Sequence, residues 1–470
     1  MNARSRAVVL MVACSGLGGC RMAEVADPAP SVMADVGRRT DPGLRSSQRD
    51  GELDEPAAVA LALERNPRIR QALARAGVAQ AELVEALTPE NPRIGVAARW
   101  PLEGAGFGVD LDVLQDVISL LFRPRRGAAA RARFDAERQD VVAEIVDGAL
   151  EVSEAWYTLV TARQLHAMRA LVEESAGASE AVAGRMADAG TLSRLGLARE
   201  SATHAQAAAE TLEAEGDVVA AREHLLAAIA ADPDQDVRVP DVLPAVPATE
   251  LPLERLLETA LCARADLRAA RAGRMALAHE LGLARQLGSL GTLEGGAVGE
   301  REVEGAWSAG PAWEVEIPLF DQGQARRERA ASAWRESTWA VRSLEAEVRR
   351  DVRTHRLRLD VLRKQVELHA RRLIPARERV VALSQQEYDF MLLGVDKLLE
   401  AKREEYEAYA RYVTTIRDYW IERVHLERAV GVRLQVSAPP AVALPKPGGA
   451  GDGGPTDHGG HDGQSMEGGM

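Results

Sequence analysis

The strongest constraint in this sequence is an internal duplication. One offset of 198 residues relates a series of pairs without a gap, among them Ala62-Leu63 with Ala260-Leu261, Ile69-Arg70 with Leu267-Arg268, and Leu121-Phe122 with Leu319-Phe320. Self-similarity at one fixed spacing indicates copies of a structural unit. The chain of 470 residues is therefore predicted to contain two copies, 55–231 and 253–436, rather than the roughly three domains that its length suggests.

Within each copy, a helical pattern gives way to a stretch rich in Pro and Gly. The first helix is predicted over 55–87, and apolar residues then alternate with acidic ones, a period of two that is typical of strands. The apolar positions are Val109, Leu111 and Val113 in the first copy and Trp313, Val315, Ile317 and Leu319 in the second. The alternating acids are Asp110, Asp112, Glu314 and Glu316. Partner strands are predicted near 93–100 and 292–298, so each copy has a strand pair with one apolar and one acidic face.

Long helices follow the strands in both copies. The first is predicted over 127–187, roughly 60 residues or about 90 Å long. Its apolar residues are spaced by three and four, as in a coiled coil: Val142, Ile145, Ala149, Val152, Trp156 and Leu159. The second copy repeats this spacing up to Leu373, and Pro375 is expected to bend the helix or start a new one. Helices return over 192–231 and 397–430, so each copy is predicted to end in an antiparallel helical hairpin.

The segments outside the two copies have a different composition. A Pro-rich linker is predicted over 232–252, and the tail 437–470, rich in Gly, Pro and Asp, is predicted to be disordered. Aromatic residues make up only 4% of the chain, which favours helices packed through Ala and Leu over a compact enzyme core. The net charge of −13 argues against a nucleic-acid partner.

The first residues are typical of an export signal. Arg4 and Arg6 precede an apolar run from Ala7 to Cys14, too short to span a bilayer, and small residues then lead to Cys20. The Leu17-Gly18-Gly19-Cys20 ending resembles the bacterial lipobox, which implies a signal peptide over 1–19, a diacylglycerol on the Cys20 sulfur and a flexible segment over 20–54. Arg21 in place of Asp implies an outer-membrane destination under the lipoprotein sorting rule. The alternative is an ordinary secretory peptide with a chance cysteine.

Strand pairs in an exported chain with such long helices constrain the assembly. If the apolar faces meet lipid, open sheet edges cannot persist there, because unpaired backbone groups cost several kcal/mol each in hydrocarbon. Four strands cannot close a barrel by themselves, since transmembrane barrels use about eight or more. Several chains must then share one barrel, and the acidic faces would line its lumen.

These features together resemble the TolC family of outer-membrane efflux proteins from about residue 55 to 435. The matching motifs are Asn66-Pro67-Arg68-Ile69, Pro318-Leu319-Phe320-Asp321-Gln322-Gly323-Gln324, Leu399-Glu400-Ala401 and the closing hairpin 388–431. The resemblance implies a mainly α fold with a small β part: a homotrimer with a 12-stranded outer-membrane barrel and a periplasmic helical barrel. It also implies a periplasmic adaptor and an inner-membrane pump as partners, and heavy-metal or drug export as the task of the lipid-anchored branch. Two departures are Met391, where the family usually has Gly, and Arg264-Ala265, which lacks the proline of the first copy.

The resemblance also implies a periplasmic gate made of acidic side chains at the helix tips. Glu400 matches the family's acidic position, Asp396 lies one turn earlier on the same face, and Asp188 is a candidate from the other hairpin. The alternative is that all three are ordinary solvated charges on an outer helix face.

Metal handling is a further possibility, suggested by the tail. His458, His461, Met466 and Met470 offer donors that suit copper or silver, although their spacing matches no structural zinc site. The alternative is an unselected polar tail. The histidines elsewhere are expected to be scattered surface or seam residues, and Cys262 to be a small buried apolar residue without a function.

No catalytic constellation or phosphate loop is recognisable, so the chain is predicted to be a non-enzyme without a cofactor. The leading hypothesis is a passive outer-membrane conduit for metal cations such as copper, silver, zinc or cadmium. Drug or protein export through the same fold, or a lipid-anchored periplasmic coiled-coil adaptor, are the alternatives.

Overall fold

The computed structural model describes residues 25–40, 52–100, 102, 106–287 and 292–434. The elements in chain order are α1 (Ala29–Thr40), α2 (Glu55–Arg65), α3 (Pro67–Leu87), β1 (Arg93–Arg99), β2 (Gly108–Asp116), α4 (Val117–Asp188), α5 (Arg194–Ile229), α6 (Leu253–Ala263), α7 (Ala265–Leu287), β3 (Leu293–Arg301), β4 (Trp307–Val315), α8 (Gln324–Leu368), a π-helical turn (His369–Leu373), α9 (Ile374–Asp389) and α10 (Val395–Val430).

The predicted duplication is visible in the boundaries of these elements. Helices α2 and α6 begin and end 198 residues apart, and α3 and α7 begin at the same offset. Each copy then has two strands and a long helical hairpin, α4–α5 in the first and α8–α10 in the second. The two copies are described below as the first and second repeat.

Both repeats contribute to one sheet of four antiparallel strands in the order β1-β2-β3-β4. Strand β2 of the first repeat pairs with β3 of the second, with Asp112 opposite Val298 and Asp110 opposite Glu300. The predicted strand near 313–319 is shorter than expected at its carboxyl end, because β4 ends at Val315. Ile317 and Leu319 therefore lie outside the sheet, next to Pro318, which cannot donate to a ladder.

The first predicted helix is in fact two helices, so the single helix over 55–87 is wrong. The chain breaks at Asn66, whose side chain accepts from the Arg68 N–H at 2.9 Å and donates to the Ala228 carbonyl at 2.8 Å. The second repeat breaks at the equivalent Arg264 without a proline. There the backbone of Gly431 packs so closely that a Cβ on it would lie 2.7 Å from the Arg264 Cα.

The long helix of the first repeat begins earlier than predicted. Helix α4 has 72 residues and starts at Val117, because the Asp116 carboxylate caps the Ser119 N–H at 3.0 Å. Pro124 lies within the helix and does not interrupt it. In the second repeat the prediction of a break near Pro375 is confirmed: α8 ends at Leu368 and a π-helical turn precedes α9.

The core lies where the two repeats meet. The predicted coiled-coil seam of α4 is buried and packs with residues of α2, α5, α8 and α10, among them Leu225, Val352 and Tyr419. The Pro-rich linker also joins this core, because Val239 and Leu243 are buried and the Trp420 indole donates to the Pro244 carbonyl at 2.9 Å.

Part of the segment predicted to be flexible is ordered. Helix α1 lies within 20–54 and buries Val32 and Val36 in the core. The Arg39 guanidinium donates to the carbonyls of Ala263 and Gly431, and the Arg39 carbonyl accepts from the Arg433 N–H at 2.7 Å. Apolar burial and these caps together hold α1 against both repeats, so the prediction for this stretch is corrected.

Candidate functional site

One face of the sheet is apolar and exposed. Ile94, Val96 and Trp313 are each about two-thirds exposed, at 66%, 69% and 66%. The register places Ile94 beside Val113 and Val96 beside Leu111, with Trp313 on the same side. An exposed apolar surface of this extent indicates a contact with lipid or with another protein.

The other face is polar and contains the predicted acids. Register places Asp110, Asp112 and Glu314 on it, together with the further acids Asp116, Glu294 and Glu300. Glu316 lies past the end of β4, where its carboxylate accepts from the Thr292 N–H at 3.2 Å.

Two arginines that the sequence analysis did not single out also lie on the polar face. Arg99 Nη2 lies 2.5 Å from Asp110 Oδ1 and 2.7 Å from Glu300 Oε1, and Arg93 pairs with Glu294. Their position could have been found from the alternation in β1, since Arg93 and Arg99 are an even number of residues apart.

Both outer strands of the sheet have an edge without a partner among the described residues. Strand β1 pairs only with β2, and β4 only with β3. Unpaired N–H and C=O groups along an edge strand are a template for pairing with another strand. Both edges of this sheet can therefore accept a further strand.

The long helices form an open arc, which also has two edges. Helix α4 packs against α5 on one side and α10 on the other, and α10 packs in turn against α8 and α9. Helix α5 and the α8–α9 pair are thus the two edges of the arc. Exposed apolar or small residues recur at three- and four-residue spacing along α5: Leu195, Ala198, Ala202, Ala205, Ala209, Leu212, Gly216 and Val219. Leu357, Val361 and Leu368 are exposed on α8.

The predicted gate residues lie at the far ends of the hairpins. Asp188 ends α4, whereas Asp396 and Glu400 lie in the first two turns of α10, and all three are exposed. The Lys397 Nζ lies 2.7 Å from Glu400 Oε2, and this hydrogen bond holds the pKa of Glu400 below its usual value. The two hairpins contact each other just beyond this point, where Tyr406 packs against Val172 and Ala176.

The turns at the two hairpin ends have the same backbone form with different residues. Gly190 (φ 73°) and Met391 (φ 58°) both occupy the left-handed region. In each turn the following residue donates to a carbonyl five residues back, Thr191 to Met186 at 2.9 Å and Leu392 to Glu387 at 2.8 Å. This is the Schellman arrangement that ends many helices. The second turn adopts it without glycine.

Two histidines predicted to be scattered are brought together at the seam of the hairpins. The rings of His355 and His425 stack with centroids 5.6 Å apart, and His355 Nδ1 lies 2.8 Å from Glu422 Oε1. His425 Nδ1 lies 3.7 Å from Glu154, and burial lowers the pKa of His425. The residues come from three helices, so no local sequence signal could have predicted the cluster.

A buried ionic network lies where α10 ends. Arg423 Nη1 lies 2.6 Å from Glu427 Oε1, and Arg433 pairs with Glu55. Burial raises the pKa of Glu427 to about 7, although Arg423, Arg433 and the Leu434 N–H all act in the opposite direction. The network joins the C-terminal segment to α2 and α10. Moving that segment away would leave buried charges without partners, which is costly.

Several residues named in the sequence analysis do not belong to the sites described above. Cys20, His458, His461, Met466 and Met470 lie outside the described residues. Cys262 is exposed, which corrects the expectation that it is buried. No group of three or more His, Cys, Asp or Glu suited to a metal ion occurs in the described part of the chain. Across the same residues, no helix combines the length and apolar character needed to cross a bilayer.

Comparison with known proteins identifies one relative by sequence and several solved structures with a similar fold. No protein-family model matches the chain. Protein CyaE of Bordetella pertussis is 30% identical over 301 residues, which cover 59% of this chain and 62% of that protein. The match therefore spans less than two-thirds of that relative's length.

Similar solved structures extend over most of the chain. The CmeC outer membrane channel of Campylobacter jejuni superposes with a TM-score of 0.70 at 15% identity, covering 83% of this chain and 91% of that one. CusC, whose structures describe transmembrane channel formation, gives 0.69 at 15% identity, with 80% and 92% covered. The chain has the fold of the TolC-family outer-membrane channels.

Proposed function

We propose that three copies of this chain form an outer-membrane efflux channel that conducts its cargo passively to the cell exterior. The observation that supports this most directly is the sheet, which exposes its apolar face and leaves both edges unpaired. Three such sheets, joined β1 to β4, would give twelve strands in a closed barrel. Closure would satisfy the backbone groups of both edges and turn the apolar face to lipid. Trp307 and Trp313, both exposed on that face, suit a membrane interface.

The helices support the same assembly. Three contacts align the helices: Arg169 with Glu210, Glu154 with His425, and His355 with Glu422. Following these alignments along the antiparallel helices brings Gly216 of α5 to the height of Val361 of α8, within about one turn of 5.4 Å. Small residues on one edge of the arc therefore lie level with large apolar residues on the other. Two neighbouring copies can pack α5 against α8 as in a coiled coil.

The hairpin tips are proposed as the periplasmic gate. Asp396, Glu400 and Asp188 are exposed at the tips, where symmetry would repeat each carboxylate three times. The hydrogen bond from Lys397 reduces the negative field of Glu400, whereas Asp396 and Asp188 form no ion pair among the described residues. Substituting Glu400→Ala and Asp396→Ala is expected to raise basal conductance, and no change in either would remove them from the gate.

The membrane anchor and the partners are part of the same proposal. Cys20 ends a lipobox-like sequence and would bear a diacylglycerol, and Arg21 in place of Asp supports anchoring in the outer membrane of a Gram-negative cell. A conduit has no energy source of its own. A periplasmic adaptor and an inner-membrane pump would therefore supply the cargo, and the protein itself would catalyse no reaction.

The proposed cargo is a heavy-metal cation. The acidic polar face, the acidic tips and the His/Met tail all favour cations. Drug or protein export through the same fold is the alternative. Deleting the gene and comparing tolerance to copper, silver, zinc and cadmium with tolerance to dyes and antibiotics separates these. Unchanged metal tolerance with drug hypersensitivity would contradict the metal assignment.

Channel formation itself is tested by reconstitution. The mature lipidated protein is expected to run as a heat-modifiable trimer and to give stepwise conductance in planar bilayers. A lipid-anchored adaptor would instead be soluble after lipid removal and would not conduct. That second outcome would contradict the proposed channel.

A further inference from the structure

The acids on the polar face of the sheet are not equivalent, because basic side chains neutralise some of them. At the end of the sheet near residues 99 and 108, Arg99 bridges Asp110 of the first repeat and Glu300 of the second. One positive charge thus lies between two carboxylates that face each other in the register. The three side chains together carry a net charge of −1 in place of the −2 of the two carboxylates alone, so their combined negative field is reduced.

Asp112, one step further along β2, has a different environment. The register line through it contains Gly95, Val298 and Gly310, which offer no charge. Its carboxylate lies over Gly95, where a Cβ would overlap it. Among the described residues no Lys, Arg or His lies within ion-pair distance of Asp112, in contrast to Asp110.

We propose that Arg99 limits the cation preference of the lumen and that the isolated Asp112 carboxylate adds to it. The inference rests on the proposed channel, in which the polar face lines the lumen. Three copies would place three Arg99 clamps at one level and three unneutralised Asp112 carboxylates at the next. Mobile ions passing the wall then meet a salt-bridged cluster at one level and an isolated carboxylate at the next.

The chain offers a matched control for this proposal. Arg301 lies on the opposite, apolar face, where its guanidinium stacks on the Phe107 ring at 4.5 Å. Removing its charge changes the net charge of the protein by the same amount as removing that of Arg99. Only Arg99, however, would face the permeating ions.

The test is the reversal potential of the reconstituted full-length trimer in a potassium chloride gradient at low ionic strength. Removing one charge per chain near the lumen wall is expected to change the ratio of potassium to chloride permeability about twofold. Arg99→Gln should raise this ratio and Asp112→Asn should lower it. Arg99→Lys and Arg301→Gln should leave it near the wild-type value.

The outcomes separate the inference from the proposed function. Conducting channels in which Arg99→Gln behaves like Arg301→Gln, or in which Asp112→Asn leaves the ratio unchanged, would overturn the inference alone. Wild-type protein that inserts without conducting would contradict the channel itself. If Arg99→Gln does not assemble, the result for Asp112→Asn decides, because that substitution removes no ion pair.

Discussion

The two repeats have the same architecture, but they place glycine at opposite ends of their closing hairpins. In the first repeat the left-handed residue at the hairpin tip is Gly190, and the left-handed residue that ends the last helix is Ala230. In the second repeat the tip has Met391 and the helix end has Gly431. Because left-handed conformations cost non-glycine residues about 1–2 kcal/mol, each repeat tolerates strain at the position where the other avoids it.

The surroundings explain why one of these glycines is required. A Cβ on Gly190 would meet open space, whereas a Cβ on Gly431 would lie 2.7 Å from the Arg264 Cα. Helix α10 ends directly against the break between α6 and α7. Packing, rather than the turn alone, determines where the second repeat needs glycine.

The second difference between the repeats lies in the middle of the long helices. Helix α4 is continuous, whereas the second repeat has a π-helical turn ahead of Pro375. Gly177 of the first repeat is 198 residues before Pro375 and lies inside α4. Introducing Gly177→Pro should remove a hydrogen bond and lower the free energy of local unfolding by about 3 kcal/mol or more. Hydrogen exchange along α4 measures this, with Gly177→Ala as the control for the added Cβ.

Removing the proline from the second repeat is expected to have the opposite effect on local stability. Pro375→Ala should convert the π-helical turn towards α-helix and slow hydrogen exchange over residues 369–375. If Gly177→Pro leaves α4 as protected as in the wild type, then proline does not explain the difference between the repeats.

The repeats also differ in what the last helix buries. Leu226 near the end of α5 is buried in the core, whereas Glu427 near the end of α10 is buried in an ionic network. The pKa of Glu427 is about 7 in the folded chain, above its usual value of 4.5. At pH values between these two pKa values, the Glu427 carboxyl binds more protons in the folded chain than in the unfolded chain. Its contribution to the free energy of unfolding therefore decreases as pH rises. The total change is at most about 3 kcal/mol.

The variant that tests this is Glu427→Gln, which keeps the shape of the side chain and cannot ionise. We expect a weaker decline in unfolding temperature between pH 5 and pH 8 than in the wild type. A variant with the same pH dependence as the wild type would show that another group is responsible.

Substitutions at the two glycines should separate packing from turn strain. Gly431→Ala combines a left-handed backbone with a steric clash and should destabilise the end of α10 by more than about 2 kcal/mol. Gly190→Ala has only the backbone term and should cost about 1 kcal/mol. Local hydrogen exchange provides both values, and equal costs at the two sites would contradict the role assigned to Arg264.

The smallest effects are expected where glycine replaces a strained residue. Met391→Gly and Ala230→Gly should each stabilise the local turn by up to about 1 kcal/mol. Denaturant-dependent exchange of the neighbouring amides can measure this. A loss of stability in Met391→Gly would mean that the exposed Met391 side chain makes a contact that offsets its backbone strain.

Much of this fold could be predicted from the sequence because it depends on periodic patterns. The seam from Val142 to Leu159, the two hairpins and the break near Pro375 follow from spacing and proline. The break at Arg264 was not predicted, because no proline marks it and the segment that packs against it, at Gly431, is distant in sequence. The start of α4 depended on a single cap by Asp116, whereas the prediction relied on proline and glycine content.

The candidate site was predictable only in part for a similar reason. Strand alternation placed Asp110, Asp112 and Glu314 on one face, as the register confirms. The alternation did not single out Arg99, because its ion pair with Glu300 of the other repeat appears only when the strands are paired. The His355–His425 pair likewise requires the packing of α8 on α10.

The central claim, that separate copies close the arc through α5 and α8, can be tested by one cross-linking measurement. In a Cys262→Ser background, Gly216→Cys and Val361→Cys together should form disulfides between chains in the outer membrane and yield a covalent trimer on oxidation. Gly216→Cys with Arg353→Cys, about two turns away from that height, should not. The predicted result is that only the pair Gly216→Cys and Val361→Cys cross-links efficiently and that its product is a trimer. Monomers after oxidation, or equal cross-linking of both pairs, would contradict the account.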